Sequence, residues 1–477
     1  MKKTSIILFL LILTLLWFPL LDNTFQFLQL KPLKGDFTKQ KDLNISINAF
    51  FEESYQSPKE TFLKESLNIY PFLIRFWNQI QFSLYKQTET FHVVIGKNNT
   101  IFDETYIDAY LGTDYIGDTL LNNVTDELSF FKQILNQFGK QLLVCIVPGK
   151  AGFYQDQFPD IYQNIKKRDT TNLTAYRQVL KQKEINYLDL TNYLIEFSKK
   201  NKNNFYPRNG IHLSTYATVL TADTLIKYIK STYQKDIATI KINEISETTE
   251  AQYYDNDIEE SLNLLFPLEK ETLHYPSFEF IEGTENFKVT TIGDSFYKYI
   301  FDSGIHDKSF NKGKFWFYGK ILWPDLNKAD SINNNLIEEF LETDLYLIFT
   351  SDATLYKFPY NMEDRFIEPI GVLNQDLFRD FIVKRISNTP LWKKNIEANS
   401  ITSNVSFDTQ CQNEANYLFQ YKIQNLDSHS KDIVNKYYQV IYNTQWNKAI
   451  KEKSEQNNTN FFVQALQDAK WVVDNSK

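Results

Sequence analysis

The sequence predicts an α/β protein: a parallel sheet flanked by helices, behind an N-terminal membrane anchor and ahead of an all-helical repeat region. Three observations carry this. Several short apolar runs lack the alternation of a half-exposed strand, so they read as strands buried on both faces. Helical patterns fall between them, which implies right-handed crossovers in a parallel sheet. After about residue 360 the apolar runs cease and an internal repeat begins.

The elements follow in order. Within residues 1–22, Lys2 and Lys3 precede "SIILFLLILTLLWFPLL", an uncharged run of about 17 residues at the short end of a membrane span. No small-x-small cleavage site follows it, so it reads as an uncleaved anchor. The lysines then stay inside, and the main domain lies on the extracytoplasmic (periplasmic) side of the cell membrane in a single-pass protein. Residues 23–88 read as a juxtamembrane helical region, with amphipathic spacing around "FLIRFWNQIQFSLYKQ".

The main domain is expected over residues 89–358. Its strands are "FHVVIG", "QLLVCIVPGK" (141–150), "INYLDL" (185–190), "FKVTTIGDS" (287–295), "KFWFYG" (314–319) and "DLYLIFTSD" (344–352). Helical patterns at 128–140 and 216–233 separate some of them. Residues 234–285 are irregular and acidic, and read as an insertion on the active face without a strand of its own. In the helical tail, 359–477, Trp392 and Trp446 stand 54 residues apart. At the same offset Lys394 matches Lys448, Ile396 matches Ile450, Ser400 matches Ser454 and Phe407 matches Phe461. Each copy reads as helix, polar linker, helix, and two such hairpins would stack to bury a face apiece.

Composition removes whole classes of function. A net charge of −8 argues against a nucleic-acid partner, which would want a basic face. The two cysteines, Cys145 and Cys411, make no disulfide framework, and Cys145 sits in a core-like strand. No His/Asp cluster has metal-ligand spacing, so neither metal nor cofactor is expected. The many tyrosines and tryptophans suit a sugar-facing exterior.

Candidate chemistry centres on Gly293-Asp294-Ser295, placed after an apolar strand and before a helix-like segment. In parallel sheets reactive groups gather at the carboxyl ends of strands. Amides of such a turn, around Gly293 and Ser295, point toward the serine hydroxyl and would stabilise an oxyanion. The bland alternative is an ordinary capped turn. Serine needs a base. Among five histidines, His212 stands out, on a loop held by Pro207, Asn209 and Gly210 with Ser214 as an N-cap. His92 reads as a strand-edge residue, His274 and His306 as loop residues, and His429 as part of a solvated linker.

"TIGDSF" resembles the first block of SGNH/GDSL hydrolases. His212 precedes Ser295, an order similar to the alginate O-acetyltransferase type, which acetylates exported polysaccharides. "VVIGKNNTIFDETYIDAYLG", "VCIVPGKAGFYQDQFP", "INYLDLTNYL" and "YPRNGIHLS" resemble its opening strand, proline-lysine strand end, third strand and histidine motif. The likeness covers about 90–355. The family carries an aspartate two residues before the histidine and a tryptophan after it; here stand Gly210 and Leu213. Asp255 and Asp257, in the acidic insertion, are candidates for the missing carboxylate. Asp294 either joins the catalytic group or caps its own turn. Lys150 and Tyr154 either contact an anionic sugar or form a surface pair.

The resemblance implies a membrane-anchored O-acetyltransferase that carries an acetyl group on Ser295, with His212 as base, and passes it to an exported polysaccharide. It also implies a multispanning acyltransferase partner, since one anchor cannot move acetyl groups across a membrane. With water as acceptor the same chemistry is a glycan esterase. The substitutions in the histidine motif equally suit a degenerate domain that binds glycan or scaffolds an export and acetylation complex.

Overall fold

The structure, a computed structural model, describes residues 2–35, 40–52, 54–323, 327–328 and 336–475. Four helices lead: α1 (Lys2–Phe25), α2 (Ile47–Phe51), α3 (Gln56–Ser66) and α4 (Tyr70–Ile80). The juxtamembrane region is therefore only partly helical. Residues 26–34 and 40–46 have no regular structure and bridge α1 to α2. α1 is long and apolar enough to cross a membrane, and none of its apolar window is buried against the protein.

The strands are β1 (Val93–Ile95), β2 (Ile101–Asp103), β3 (Gln141–Val147), β4 (Tyr187–Asp189), β5 (Thr239–Thr248) and β6 (Leu273–Ile281). After them come β7 (Val289–Gly293), β8 (Phe315–Phe317), β9 (Ile321–Trp323), β10 (Asn327–Lys328) and β11 (Leu345–Ser351). The main sheet runs β10-β9-β8-β7-β11-β3-β4. From β8 to β4 all neighbours are parallel, while β9 and β10 add an antiparallel edge.

Burial on both faces explains the unalternating runs. Leu142, Val144 and Ile146 of β3 pack with the helices Asp118–Gln137 and Asn172–Gln182. Leu143, Cys145 and Val147 point the other way, into a core shared with the helix Thr215–Tyr233. β11 divides likewise, Tyr346 and Ile348 against Leu347 and Phe349. Such a strand has no polar face to show to water, so its sequence carries no period of two.

Three expectations change. "FHVVIG" does not join the main sheet: β1 pairs only with β2, as an antiparallel hairpin beside it. The insertion has strands after all, since β5 and β6 form an antiparallel ribbon with a register shift between Ile242 and Ile245. Most of β5 is exposed, so its polar residues hid it from a search for apolar runs. The tail repeat is longer than a hairpin. The helices Gln375–Asn388, Pro390–Thr402 and Phe407–Gln424 recur as Ser428–Tyr442, Thr444–Gln456 and Phe461–Asn475. Two three-helix units thus follow one another, and their buried faces continue the core that covers β3 and β11.

Candidate active site

β7, β11 and β3 end side by side, and three loops leave their carboxyl ends. Ser295 follows β7 directly. Gly293 closes the strand because a side chain there would press on the Phe349 carbonyl of β11, 2.8 Å from its Cβ. Asp294 is fully buried and faces away from the cleft. Its carboxylate accepts from the Phe296 and Ser351 N–H groups (3.0 and 2.7 Å) and from the Thr354 hydroxyl (2.6 Å). Burial raises its pKa, against these hydrogen bonds. Asp294 therefore caps the turn and stitches it to the end of β11. The helical turn beginning at Ser295 is short, a 3₁₀ turn and the helix Lys298–Asp302.

His212 arrives from a loop that Lys150 underpins. The sequence leaves Lys150 either in contact with a sugar or in a surface pair; in the structure it is in neither and is buried completely. Its ammonium donates to the carbonyls of Pro207, Arg208 and Gly210 (2.6, 3.0 and 2.8 Å), so all three protons are taken inside the protein. Burial pushes its pKa down to about 7. Tyr154 also serves this loop, its hydroxyl donating to the Tyr206 carbonyl at 3.3 Å. Ser214 caps the following helix by accepting from the Ala217 N–H at 3.1 Å.

These supports bring His212 to Ser295: the serine hydroxyl donates to Nε2 at 2.6 Å. On its other side Nδ1–H donates to the carboxylate of Asp257. The second oxygen of Asp257 accepts from the Ile211 N–H at 3.1 Å. Because the carboxylate takes the Nδ1 proton, Nε2 is left with the lone pair that a general base needs. Burial lowers the His212 pKa, but the charge and hydrogen bond of Asp257 outweigh it, and the net shift is upward.

Asp257 lies where the sequence lacks an aspartate. A Cβ at Gly210 would stand 3.0 Å from the Asp257 carboxylate and 2.8 Å from the Asp255 carbonyl. The bare glycine is the space this segment occupies. Asp255, the other carboxylate named from sequence, does a different task. It is buried and accepts from the N–H and hydroxyl of Thr215 (2.9 and 3.2 Å), at the start of the helix Thr215–Tyr233. Burial pushes it up to about 6.

The cleft over these groups has a volume of about 250 Å³. Its walls include four residues that sequence reasoning missed: Tyr254, Lys298, Tyr299 and Phe317. Lys298 stands over the rings of Tyr254 and Trp323, at 4.9 and 5.6 Å. Tyr318 was also missed; its backbone N–H donates to the Gly293 carbonyl at 2.8 Å, at the end of β7. Only their nearness to the Gly-Asp-Ser turn and the insertion could have flagged them. The other histidines stay outside the cleft. His92, half exposed, precedes β1. His274 is not in a loop but buried in β6. His306 is buried in the short helix Ile305–Ser309, against the Tyr297 hydroxyl (2.8 Å). His429 is not in a linker but in the first turn of a helix, 3.2 Å from Asp474. Among the described residues, no group of three or more His, Cys, Asp and Glu side chains could hold a metal ion.

Fold and site together define an SGNH-like domain, with its serine at a strand end and its histidine on a loop. Residues 93–285 match the family model described as the SGNH hydrolase-like domain of acetyltransferase AlgX. These residues, about two fifths of the chain, are thus similar to an SGNH-like acetyltransferase domain. A comparison with curated protein sequences returns no match. Among solved structures, the O-acetyltransferase domain of Pseudomonas putida AlgJ is similar at 14% identity and TM-score 0.37, over 55% of this chain and 92% of that one. Pseudomonas aeruginosa AlgX gives 14% and 0.37, over 59% and 69%. Bacillus cereus PatB1 gives 12% and 0.31, over 49% and 91%.

Proposed function

We propose that this chain is a membrane-anchored O-acetyltransferase that modifies an exported polysaccharide outside the cytoplasmic membrane. The observation that carries the reading is the continuous chain Asp257–His212–Ser295 at the carboxyl ends of β7 and β11. His212 Nε2 takes the Ser295 proton as Oγ bonds to the acetyl carbonyl carbon. The carbonyl electrons move onto oxygen, and the Ser295 N–H is a candidate donor to that charge. The oxyanion collapses, the donor's leaving group departs with the histidine proton, and an acetyl-serine remains. A sugar hydroxyl then gives its proton to His212, attacks the acetyl-serine and leaves as the ester, and the proton returns to Ser295. Asp257 holds the imidazole orientation throughout and stabilises its charged form.

The cleft walls support a sugar acceptor. Tyr254, Tyr299 and Phe317 offer ring faces, and Lys298 a cation suited to an acidic sugar. The family model supports acetyl as the group moved. A multispanning acyltransferase would supply it, since the single helix α1 provides no path across a bilayer. Water in place of the sugar makes the same site an esterase.

The full chain should be labelled by a fluorophosphonate, and Ser295→Ala and His212→Ala should not be. With an acetyl donor, wild type should move label onto a polysaccharide acceptor faster than it releases free acetate. Absence of labelling in a folded wild-type protein would sink the enzymatic reading. Labelling with acetate release alone would leave an esterase.

A further inference from the structure

The juxtamembrane segment is built asymmetrically. One face of α4 is committed to the protein. The Asn78 side chain donates to the Leu262 carbonyl at 2.9 Å, the Gln79 side chain accepts from the Phe266 N–H at 3.0 Å, and Arg75 donates to the Pro32 carbonyl at 2.9 Å. The opposite face presents Leu73, Phe76 and Trp77, each about half exposed, at helical spacing. α2, earlier in the same segment, exposes Ile47, Phe50 and Phe51. A soluble surface seldom gathers so many large apolar side chains without a covering.

What lies next to this face identifies the covering. The outer end of α1 is bonded to the residue that leads into α4. The Asn68 side chain donates to the buried Asp22 carboxylate and to the Leu28 carbonyl, both at 2.8 Å, and the Leu28 N–H donates to Asp22 at 2.8 Å. α4 begins two residues later and has 11 residues. At 1.5 Å per residue it extends about 16 Å, so no part of it can travel far from the end of α1. If α1 spans the bilayer, that end lies at the water boundary, where tryptophan and other aromatic side chains concentrate.

We infer that α4 is an interfacial helix whose Leu73, Phe76 and Trp77 face rests in the outer bilayer surface. This rests on the anchored reading above. Its occupant is lipid rather than protein, because Asn68, two residues before α4, is hydrogen-bonded to Asp22 in the last turn of the apolar helix and to Leu28 just beyond it. The contact bears on the catalytic cleft: the segment that α4 grips, Leu262 to Phe266, belongs to the same insertion as Asp257. The bilayer would thereby set the height and tilt of the cleft.

The test uses the full chain in phosphatidylcholine and phosphatidylglycerol vesicles. Leu73→Cys and Trp77→Cys variants carry a spin label, the native Cys145 and Cys411 being buried. Collisions with oxygen, which concentrates in lipid, are compared with collisions with a water-soluble nickel chelate. Leu120→Cys and Ile161→Cys, at exposed sites on the main domain, are the aqueous controls; Leu13→Cys reports α1 itself. Labels at 73 and 77 should favour oxygen several-fold over the controls. If they match the controls while Leu13→Cys lies in lipid, the interfacial helix is wrong and the anchor stands. If they are shielded from both reagents, protein covers the face and the lipid assignment fails. If Leu13→Cys itself reads aqueous, the anchor fails and the inference falls with it.

Discussion

Asp257→Asn is the most telling perturbation of this site. The carboxylate is only 15% exposed, takes the Nδ1 proton of His212 and accepts from Ile211. Asparagine fits the space but removes the charge, and its amide can turn to face Nδ1, leaving the proton on the wrong nitrogen. In a serine protease triad this change lowers kcat by about 10⁴, about 5 kcal/mol of transition-state stabilisation. A comparable loss is expected here, with little effect on folding, because the shape is kept. The pH profile adds a second readout. Burial lowers the His212 pKa, and Asp257 more than reverses that. The base works only when neutral, so wild-type kcat/KM falls as pH drops through the raised value. Without the carboxylate, burial prevails and the midpoint of that acid limb should move to lower pH. The assay is kcat/KM for an activated acetyl ester across about pH 5 to 9, the range a histidine reports. Activity within about tenfold of wild type, one decade or about 1.4 kcal/mol, with an unmoved acid limb would refute Asp257 as the partner of His212.

Other perturbations extend the reasoning. Gly210→Ala puts a methyl against the Asp255 carbonyl and the Asp257 carboxylate; circular dichroism should stay native while kcat falls and the acid limb shifts as in Asp257→Asn. Lys150→Met leaves the buried Pro207 and Gly210 carbonyls without a donor, while the Arg208 carbonyl keeps the Ile101 N–H at 3.0 Å. At roughly 1–3 kcal/mol per unmade bond, the urea midpoint should drop clearly and the activity of the remaining folded protein should fall with it. Arg385→Met removes the cation beside Glu363 and one of the two cations paired with the buried Glu368, whose other partner, Lys422, remains. A loss of roughly 1.5–3 kcal/mol, that of hydrogen bonds to a charged group, is expected by denaturant titration. Glu127→Gln works in the opposite sense. Burial, then the charge of Glu363, raise the Glu127 pKa above its usual 4.5. The folded chain holds that proton longer than the unfolded one, so this stabilisation is full below about pH 4.5 and drains as pH climbs toward the raised value. The variant should show a flatter decline of the urea midpoint with rising pH.

The parallel core was legible because burial on both faces leaves an unmistakable trace. "QLLVCIVPGK" and "DLYLIFTSD" carry no polar alternation, and they became the adjacent strands β3 and β11. The strands that escaped, β5 and β6, form a ribbon in which apolar and polar residues alternate, as in Ile240, Lys241, Ile242 and in Phe278, Glu279, Phe280, so neither shows the unbroken apolar run that marks the core strands. The tail repeat was visible at its tryptophans but was cut short. At the same offset the leading helix of each unit keeps little beyond the buried pair Ile386 and Val440, so it left few identities to align. Lys150 was misplaced for a related reason. A lysine after a strand end reads as a surface cation, and only the three carbonyls around its ammonium reveal an internal tie.

The catalytic carboxylate shows where a motif ceases to be a local property. Within the histidine motif, Gly210 marks a loss. In space the loss and the gain are one feature, since the atoms that a side chain at 210 would displace belong to Asp255 and Asp257. The two solutions exclude each other sterically: a carboxylate on the loop would meet a carboxylate from the insertion at the same face of the imidazole, and like charges at that separation raise each other's pKa. Moving the acid into the insertion couples the imidazole to everything that holds the insertion. That includes the ribbon β5–β6, the Thr215 helix start capped by Asp255, and α4 through Leu262 and Phe266. An aspartate on the loop would be oriented by the ties of that loop, Lys150 and Tyr154 among them. One on the insertion can be tightened or released from outside the domain, so loosening the α4 contact, as Asn78→Ala would, should lower kcat with the Asp257→Asn pH signature. An unchanged acid limb in Asn78→Ala would show that the insertion holds its carboxylate without help from α4.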